Sequence, residues 1–140
     1  MIRLERVNKY FGDLHALKDV SLSVAKGEVA SVVGPSGSGK STMLRCMNHL
    51  ERIDGGTIYF DEVPVYRYLE NGKRYVDNER AVEALRAKIG MVFQSFNLFA
   101  HLSAIENITV APIHVSGVAP SVALRDATAL LDKVGLLAKA

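Results

Sequence analysis

The stretch GPSGSGKST, residues 34–42, fits the spacing G-x-x-x-x-G-K-[ST], with Gly34, Gly39, Lys40 and Ser41 in the four fixed places. A polyphosphate needs N–H donors converging on its oxygens, a cation, and a backbone that comes close. Glycine supplies such a backbone. Gly34, Gly37 and Gly39 admit conformations closed to residues with a Cβ, so the amides of a loop that also holds Pro35, Ser36 and Ser38 can turn inward. The helix opened by Lys40, Ser41 and Thr42 aims the positive end of its dipole at the same place. In this geometry Lys40 reaches the β- and γ-phosphates and the Ser41 hydroxyl ligates Mg²⁺. The expected ligand is a nucleoside triphosphate.

Working outward, Glu28-Val29-Ala30-Ser31-Val32-Val33 is a short apolar, β-branched run, and Met43, Leu44, Met47 and Leu50 follow the loop at helical spacing. Strand, loop and helix come in the order that the motif requires. The helix is expected to set this apolar stripe against a sheet and turn Arg45, Asn48 and Glu51 away, with Met43 and Met47 as core filler. Cys46, the one cysteine, rules out an internal disulfide, and its place on this helix favours buried packing over chemistry.

The 140 residues, 49% hydrophobic and 23% charged, match one globular domain or part of one. A net charge of +2 without a lysine or arginine block beyond Lys73-Arg74 argues against nucleic acid as a partner. No apolar stretch approaches the length of a membrane span, so membrane association would run through partners.

Ile2, Leu4 and Val7, then Val20, Leu22 and Val24, read as half-buried strands of an antiparallel layer. Another strand begins at Thr57 after the Asp54-Gly55-Gly56 turn, and Asn71-Gly72 marks a projecting hairpin. A helix is expected over residues 79–88 with Val82 and Leu85 inward, then a buried strand Ile89-Gly90-Met91-Val92-Phe93. Ser103-Ala104-Ile105-Glu106 is a capping box, and Leu124, Ala127, Leu130, Leu131 and Val134 form a last amphipathic helix.

Three separated pieces, Tyr10-Phe11, GPSGSGKSTMLRCMNHLE (residues 34–51) and GMVFQSFNLFAHLSAIENI (residues 90–108), together resemble the ATP-binding subunit of an ABC transporter. The last piece is the specific one, because a phosphate loop alone is shared by kinases, GTPases and many ATPases. Leu44-Arg45-Cys46, the Asn71-Gly72 hairpin and Val110-Ala111-Pro112-Ile113 are most similar to subunits that energise uptake of polar amino acids. The resemblance implies an α/β fold: a P-loop NTPase core with an N-terminal antiparallel β layer over about residues 1–100 and the start of a helical subdomain over about 101–140. It also implies ATP with Mg²⁺, a second copy joined head to tail, transmembrane permease subunits as partners, and a peripheral place on the cytoplasmic face of the membrane. Phe11, or Tyr10 if the register differs by one, sits where an aromatic stacks on adenine, with Phe11 preferred. Packing into the antiparallel layer competes for either ring, because one of two adjacent strand side chains points inward. Gln94 sits where a side-chain amide touches Mg²⁺ or its water, the alternative being a polar strand-end residue.

The signature LSGGQ, an apolar strand ending in Asp-Glu, and a switch histidine do not follow Ala140, which implies the N-terminal part of a longer, truncated protein. Ile58-Tyr59-Phe60-Asp61-Glu62 imitates the Asp-Glu strand but falls in the antiparallel layer, away from the phosphate loop. Asp132-Lys133-Val134-Gly135 imitates a GTPase D-x-x-G, yet it closes a helix and reads as a glycine C-cap. His15, His49, His101 and His114 lack metal-ligand spacing and are expected at surface or supporting positions. Three functions follow in order: an importer ATPase subunit, a nucleotide-binding fragment without hydrolysis, and another P-loop ATPase or GTPase, the GTPase disfavoured by the lack of Asn-Lys-x-Asp. The central strands are expected to be exposed in the fragment, with residues 29–33, Met43 and Met47 partly uncovered.

Overall fold

The computed structural model describes residues 1–68, 74, 75 and 79–139. They fall into two compact units, Met1–Gly90 and Met91–Ala140. In the first, strands β1 (Ile2–Phe11), β2 (Leu14–Val24), β3 (Gly55–Phe60), β4 (Val63–Tyr68) and β5 (Arg74–Tyr75) make an antiparallel sheet in the order β2-β1-β3-β4-β5. Helices α1 (Lys40–Met47) and α2 (Glu79–Arg86) belong to the same unit.

The expected antiparallel layer is present, and an irregularity explains its broken alternation. Arg6, at φ 46°, bulges out of β1, and the registers to β2 and β3 both shift there. Leu4 and Val7 therefore share the buried face although they are three residues apart. Opposite, Gly56 has φ 85°, and a Cβ there would stand 2.2 Å from the Arg6 carbonyl oxygen, so the bulge fits only against glycine. The core joins Leu4, Val7, Leu17 and Ile58 of the sheet to Met43 and Cys46 of α1 and to Ile53. Burial raises the Cys46 thiol to about 11, which keeps it protonated and unreactive, as its expected packing role requires.

The helix after the loop is shorter than its apolar spacing predicts and buries a different face. Met43 and Cys46 are buried and Met47 partly so, whereas Leu44 and Leu50 are exposed. The reason is the end of α1 at Met47: His49 turns the chain at φ 62°, so Leu50 no longer follows the helical stripe. Asn48 and His49 are buried instead, and the His49 carbonyl accepts a hydrogen bond from Arg86 Nη2 at 2.5 Å. Burial, then the Arg86 charge, lowers the His49 imidazole to about 4. His49 is therefore not at the surface, and Met43 is buried rather than partly uncovered as expected.

The expected strands over residues 28–33 and 89–93 do not form ladders. Val29, Val33 and Val92 are 91%, 90% and 98% exposed. A parallel core strand needs neighbours on both sides to take its N–H and C=O groups, and no described strand pairs with either run. Asp61 and Glu62 form the exposed β3–β4 turn, where Glu62 pairs with Arg3 at 3.2 Å. Tyr68 pairs with Arg74 across β4 and β5, while Asn71 and Gly72 lie outside the described residues.

The second unit pairs α3 (Ala104–His114) with α4 (Pro120–Lys133). The capping box is complete: the Glu106 amide donates to Ser103 Oγ at 3.3 Å and the Ser103 amide donates to Glu106 Oε2 at 2.7 Å. In α4 the buried face is Ala123, Ala127 and Leu131, while Leu124, Leu130 and Val134 are exposed. Gly135, at φ 72°, closes α4 as expected, its amide donating to the Asp132 carbonyl at 2.9 Å and that of Leu136 to Leu131 at 2.8 Å.

Ile58→Ala empties a fully buried position and is expected to cost about 3 kcal/mol in a denaturant melt. The Ser103 backbone and hydroxyl hold the Glu106 carboxyl below its ordinary 4.5. Its folded value is depressed, so the cap's contribution is complete above 4.5 and lost as pH falls through the lower folded value. The Ser103 and Glu106 amide resonances should shift together in that acid range, and Glu106→Gln should remove the transition.

Candidate functional site

Residues 34–42 run from Gly34 to the first turn of α1, and their geometry is fixed by two kinds of glycine constraint. Gly39, the residue before α1, has φ 88°, and a Cβ on it would lie 2.7 Å from the Ala16 carbonyl oxygen of β2. Conformation and space both demand glycine there. Gly34 differs from expectation: its φ is not positive, and its constraint is closeness, a Cβ meeting Ser38 Oγ at 2.9 Å. The Ser38 amide closes the turn on the Pro35 carbonyl at 3.3 Å.

Lys40 Nζ folds back over this loop. It donates to the carbonyl oxygens of Gly34 and Pro35, both at 2.7 Å, and to Ser38 Oγ at 3.3 Å. The first turn of α1 carries no acidic residue, so its N-terminal amides and the Lys40 ammonium present one sign of charge. These groups face a cavity of about 980 Å³ within the first unit. Its walls are residues 36–42 on one side and Phe11, Leu14, Ala16 and Lys18 on the other.

Of the two candidate aromatics, Phe11 lines this cavity and Tyr10 does not. Both rings are about half exposed, at 45% and 46%, so neither is packed into the core. Tyr10 is stacked on His15, 4.0 Å between centroids at 12° between planes. Gln94 lies in the second unit at an exposed bend. Ser36, Gly37, Ser38, Ser41 and Thr42 line the cavity together with Gly39 and Lys40.

The donor set suits a metal carried in by phosphate. Among the described residues no group of three or more His, Cys, Asp or Glu could hold an ion alone. The Ser41 hydroxyl in the cavity wall matches Mg²⁺, which keeps most of its ligands as water and phosphate oxygens. Sequence reading missed Lys9, Glu51 and Asp54, whose ion pairs, formed by a buried lysine and two partly exposed acids, stand beside Phe11. A lysine before the aromatic pair and two acids after α1 were visible, but their pairing is long-range.

The family model for the ABC transporter matches residues 17–140, and the chain belongs to this family. It is 44% identical over 140 residues to the glutamine transport ATP-binding protein GlnQ of Geobacillus stearothermophilus, covering all of this chain and 54% of that protein. It is 48% identical over 140 residues to the arginine transport ATP-binding protein ArgV of Corynebacterium glutamicum, covering 55% of that one. The chain thus spans about half the length of these relatives. Among solved structures it is similar to the ATP-binding cassette MJ0796, a dimer bound to ADP and Pi. The TM-score is 0.76 at 32% identity, over 94% of this chain and 56% of that one.

Gly39→Ala must adopt positive φ and displace the Ala16 carbonyl, and is expected to cost about 2 kcal/mol or more in a thermal or denaturant melt. Gly37→Ala, at φ 82° with open space around it, should cost about 1 kcal/mol. Equal losses would show that the contact with β2 contributes nothing.

Proposed function

We propose that the chain binds Mg·ATP on residues 34–42 and is part of an ATPase subunit that powers ABC-type import of polar amino acids. The observation that carries this is Lys40, whose ammonium is fixed over the loop by two carbonyls beside the amide end of α1. The loop amides and Lys40 bind the β- and γ-phosphates and stabilise charge on the transferring phosphoryl group. Ser41 holds Mg²⁺, and Phe11 stacks on the adenine. The printed functions of GlnQ and ArgV support the amino-acid class, and the dimeric MJ0796 cassette supports assembly with a second copy. In that assembly each phosphate loop meets its partner's signature segment, and closure drives transmembrane permease subunits from the cytoplasmic face.

Taken alone, the 140 residues bind nucleotide without completing hydrolysis. They contain no LSGGQ, and among the described residues no Asp or Glu lines the cavity to orient water.

Calorimetric titration of the chain with Mg·ATP tests the site. Weak binding is expected, with Lys40→Ala reducing affinity at least roughly tenfold through loss of charged hydrogen bonds. Equal affinity in the two proteins would overturn the assignment of Lys40. Phosphate release should match the Lys40→Ala background, and turnover above it would overturn the proposed inactivity.

A further inference from the structure

Strand β3 stops supporting β1 before β1 ends. Their pairing finishes at Asn8↔Gly55, yet β1 runs on through Lys9 and Tyr10 to Phe11 with β2 alone beside it. The carboxylate of Asp54 takes over where the ladder stops. The Tyr10 amide donates to Asp54 Oδ2 at 2.8 Å, and the Asp54 amide donates to the Asn8 carbonyl at 2.8 Å. Without this oxygen, that edge of β1 would carry a free donor next to the ring at the cavity wall.

The carboxylate is itself held. Lys9 is only 7% exposed and bridges Asp54 Oδ2 at 3.4 Å and Glu51 Oε1 at 3.0 Å. The Glu51 amide donates to the Arg45 carbonyl of α1 at 3.0 Å, so the bridge joins the end of β1 to the helix that follows the phosphate loop. The same ammonium lies 4.9 Å from the centroid of the Phe11 ring, over its face. Two acids share one lysine, so removal of Lys9 leaves two partly exposed carboxylates side by side without their common cation. Burial alone would lower the Lys9 ammonium, but hydrogen bonding to Glu51 and the charge of Asp54 outweigh it and raise it, so the bridge stays charged at neutral pH.

We propose that Lys9 and Asp54 are positioning residues that hold Phe11 at the cavity wall and register the base-stacking ring against the phosphate-loop helix. The proposal rests on the reading of Phe11 as the adenine platform. It separates two parts of recognition: phosphate is gripped by residues 34–42, and the base by a strand end braced with an ion-pair bridge. Lys9 and Asp54 then act on nucleotide affinity through the ring, without touching the ligand.

The test compares Mg·ATP with Mg·tripolyphosphate, which has no base, by calorimetric titration of the chain and its variants. Phe11→Ala is expected to weaken ATP roughly 3- to 10-fold and leave tripolyphosphate unchanged, the range of one aromatic contact. Lys9→Met and Asp54→Ala should each reproduce most of that selective loss, and Lys9→Arg should retain ATP affinity. In a Phe11→Ala background, Lys9→Met should cost nothing further, a non-additivity that a merely structural role would not produce.

Selective loss in Phe11→Ala with an unchanged ATP-to-tripolyphosphate ratio in Lys9→Met and Asp54→Ala would overturn the proposal and leave the base platform standing. Parallel loss of both ligands in the Lys9 and Asp54 variants would also overturn it. No selective loss in Phe11→Ala would instead remove the platform reading, and the proposal with it. If Lys9→Met fails to fold, Asp54→Asn decides: it keeps an acceptor oxygen for Tyr10 but loses the charge for Lys9, and an intermediate selective loss is expected.

Discussion

The contact between Gly39 and the backbone of Ala16 sets the geometry of the site. Only a residue without a Cβ can bring the start of α1 this close to β2, and only one that tolerates positive φ can turn the loop into the helix there. Placed so, α1 lays Met43 and Cys46 on the sheet, and its amide end faces the cavity that Phe11 and Leu14 border. Lys40, the next residue, returns over the loop to its own carbonyls. Its charge is thereby oriented within the loop before any ligand contributes. A ligand oxygen that reaches the loop meets a cation whose conformational cost is already partly met.

What the sequence made legible was local. The glycine spacing, the Ser103-Glu106 box and the Gly135 cap each depend on neighbours a few residues away, and each takes the form its chemistry requires. The antiparallel layer could be read because half-buried strands alternate, although the Arg6 bulge was hidden in a three-residue step from Leu4 to Val7. Helix faces were less readable. In α4 the expected stripe of Leu124, Ala127, Leu130, Leu131 and Val134 is only partly right, because Ala127 and Leu131 are buried together with Ala123 while the other three are exposed, and small residues let helices approach closely. In α1 the periodicity stayed regular in the letters after the backbone had turned at His49. The runs around Val29 and Val92 have strand composition, but composition supplies no hydrogen-bonding neighbour.

Charge is used differently at the two ends of the cavity. Near residues 34–42 a cation is left accessible to an incoming anion, whereas behind Phe11 a cation is enclosed between two acids. The first arrangement favours binding and the second favours rigidity. The hidden lysine has its partners within the fold, so it competes little for ligand phosphate.

The uncovered valines have a bearing on the order in which such a polypeptide acquires structure during synthesis. The pairings β1–β2, β3–β4 and β4–β5 join neighbours along the chain, and β1–β3 closes over the loop and α1, so this layer needs nothing beyond the first 75 residues. Chains emerge at about 5–20 residues per second, and once this layer has closed Val29, Val33 and Val92 still stand in water. Those three side chains mark where a chaperone or a mispaired strand finds a hold on the nascent protein.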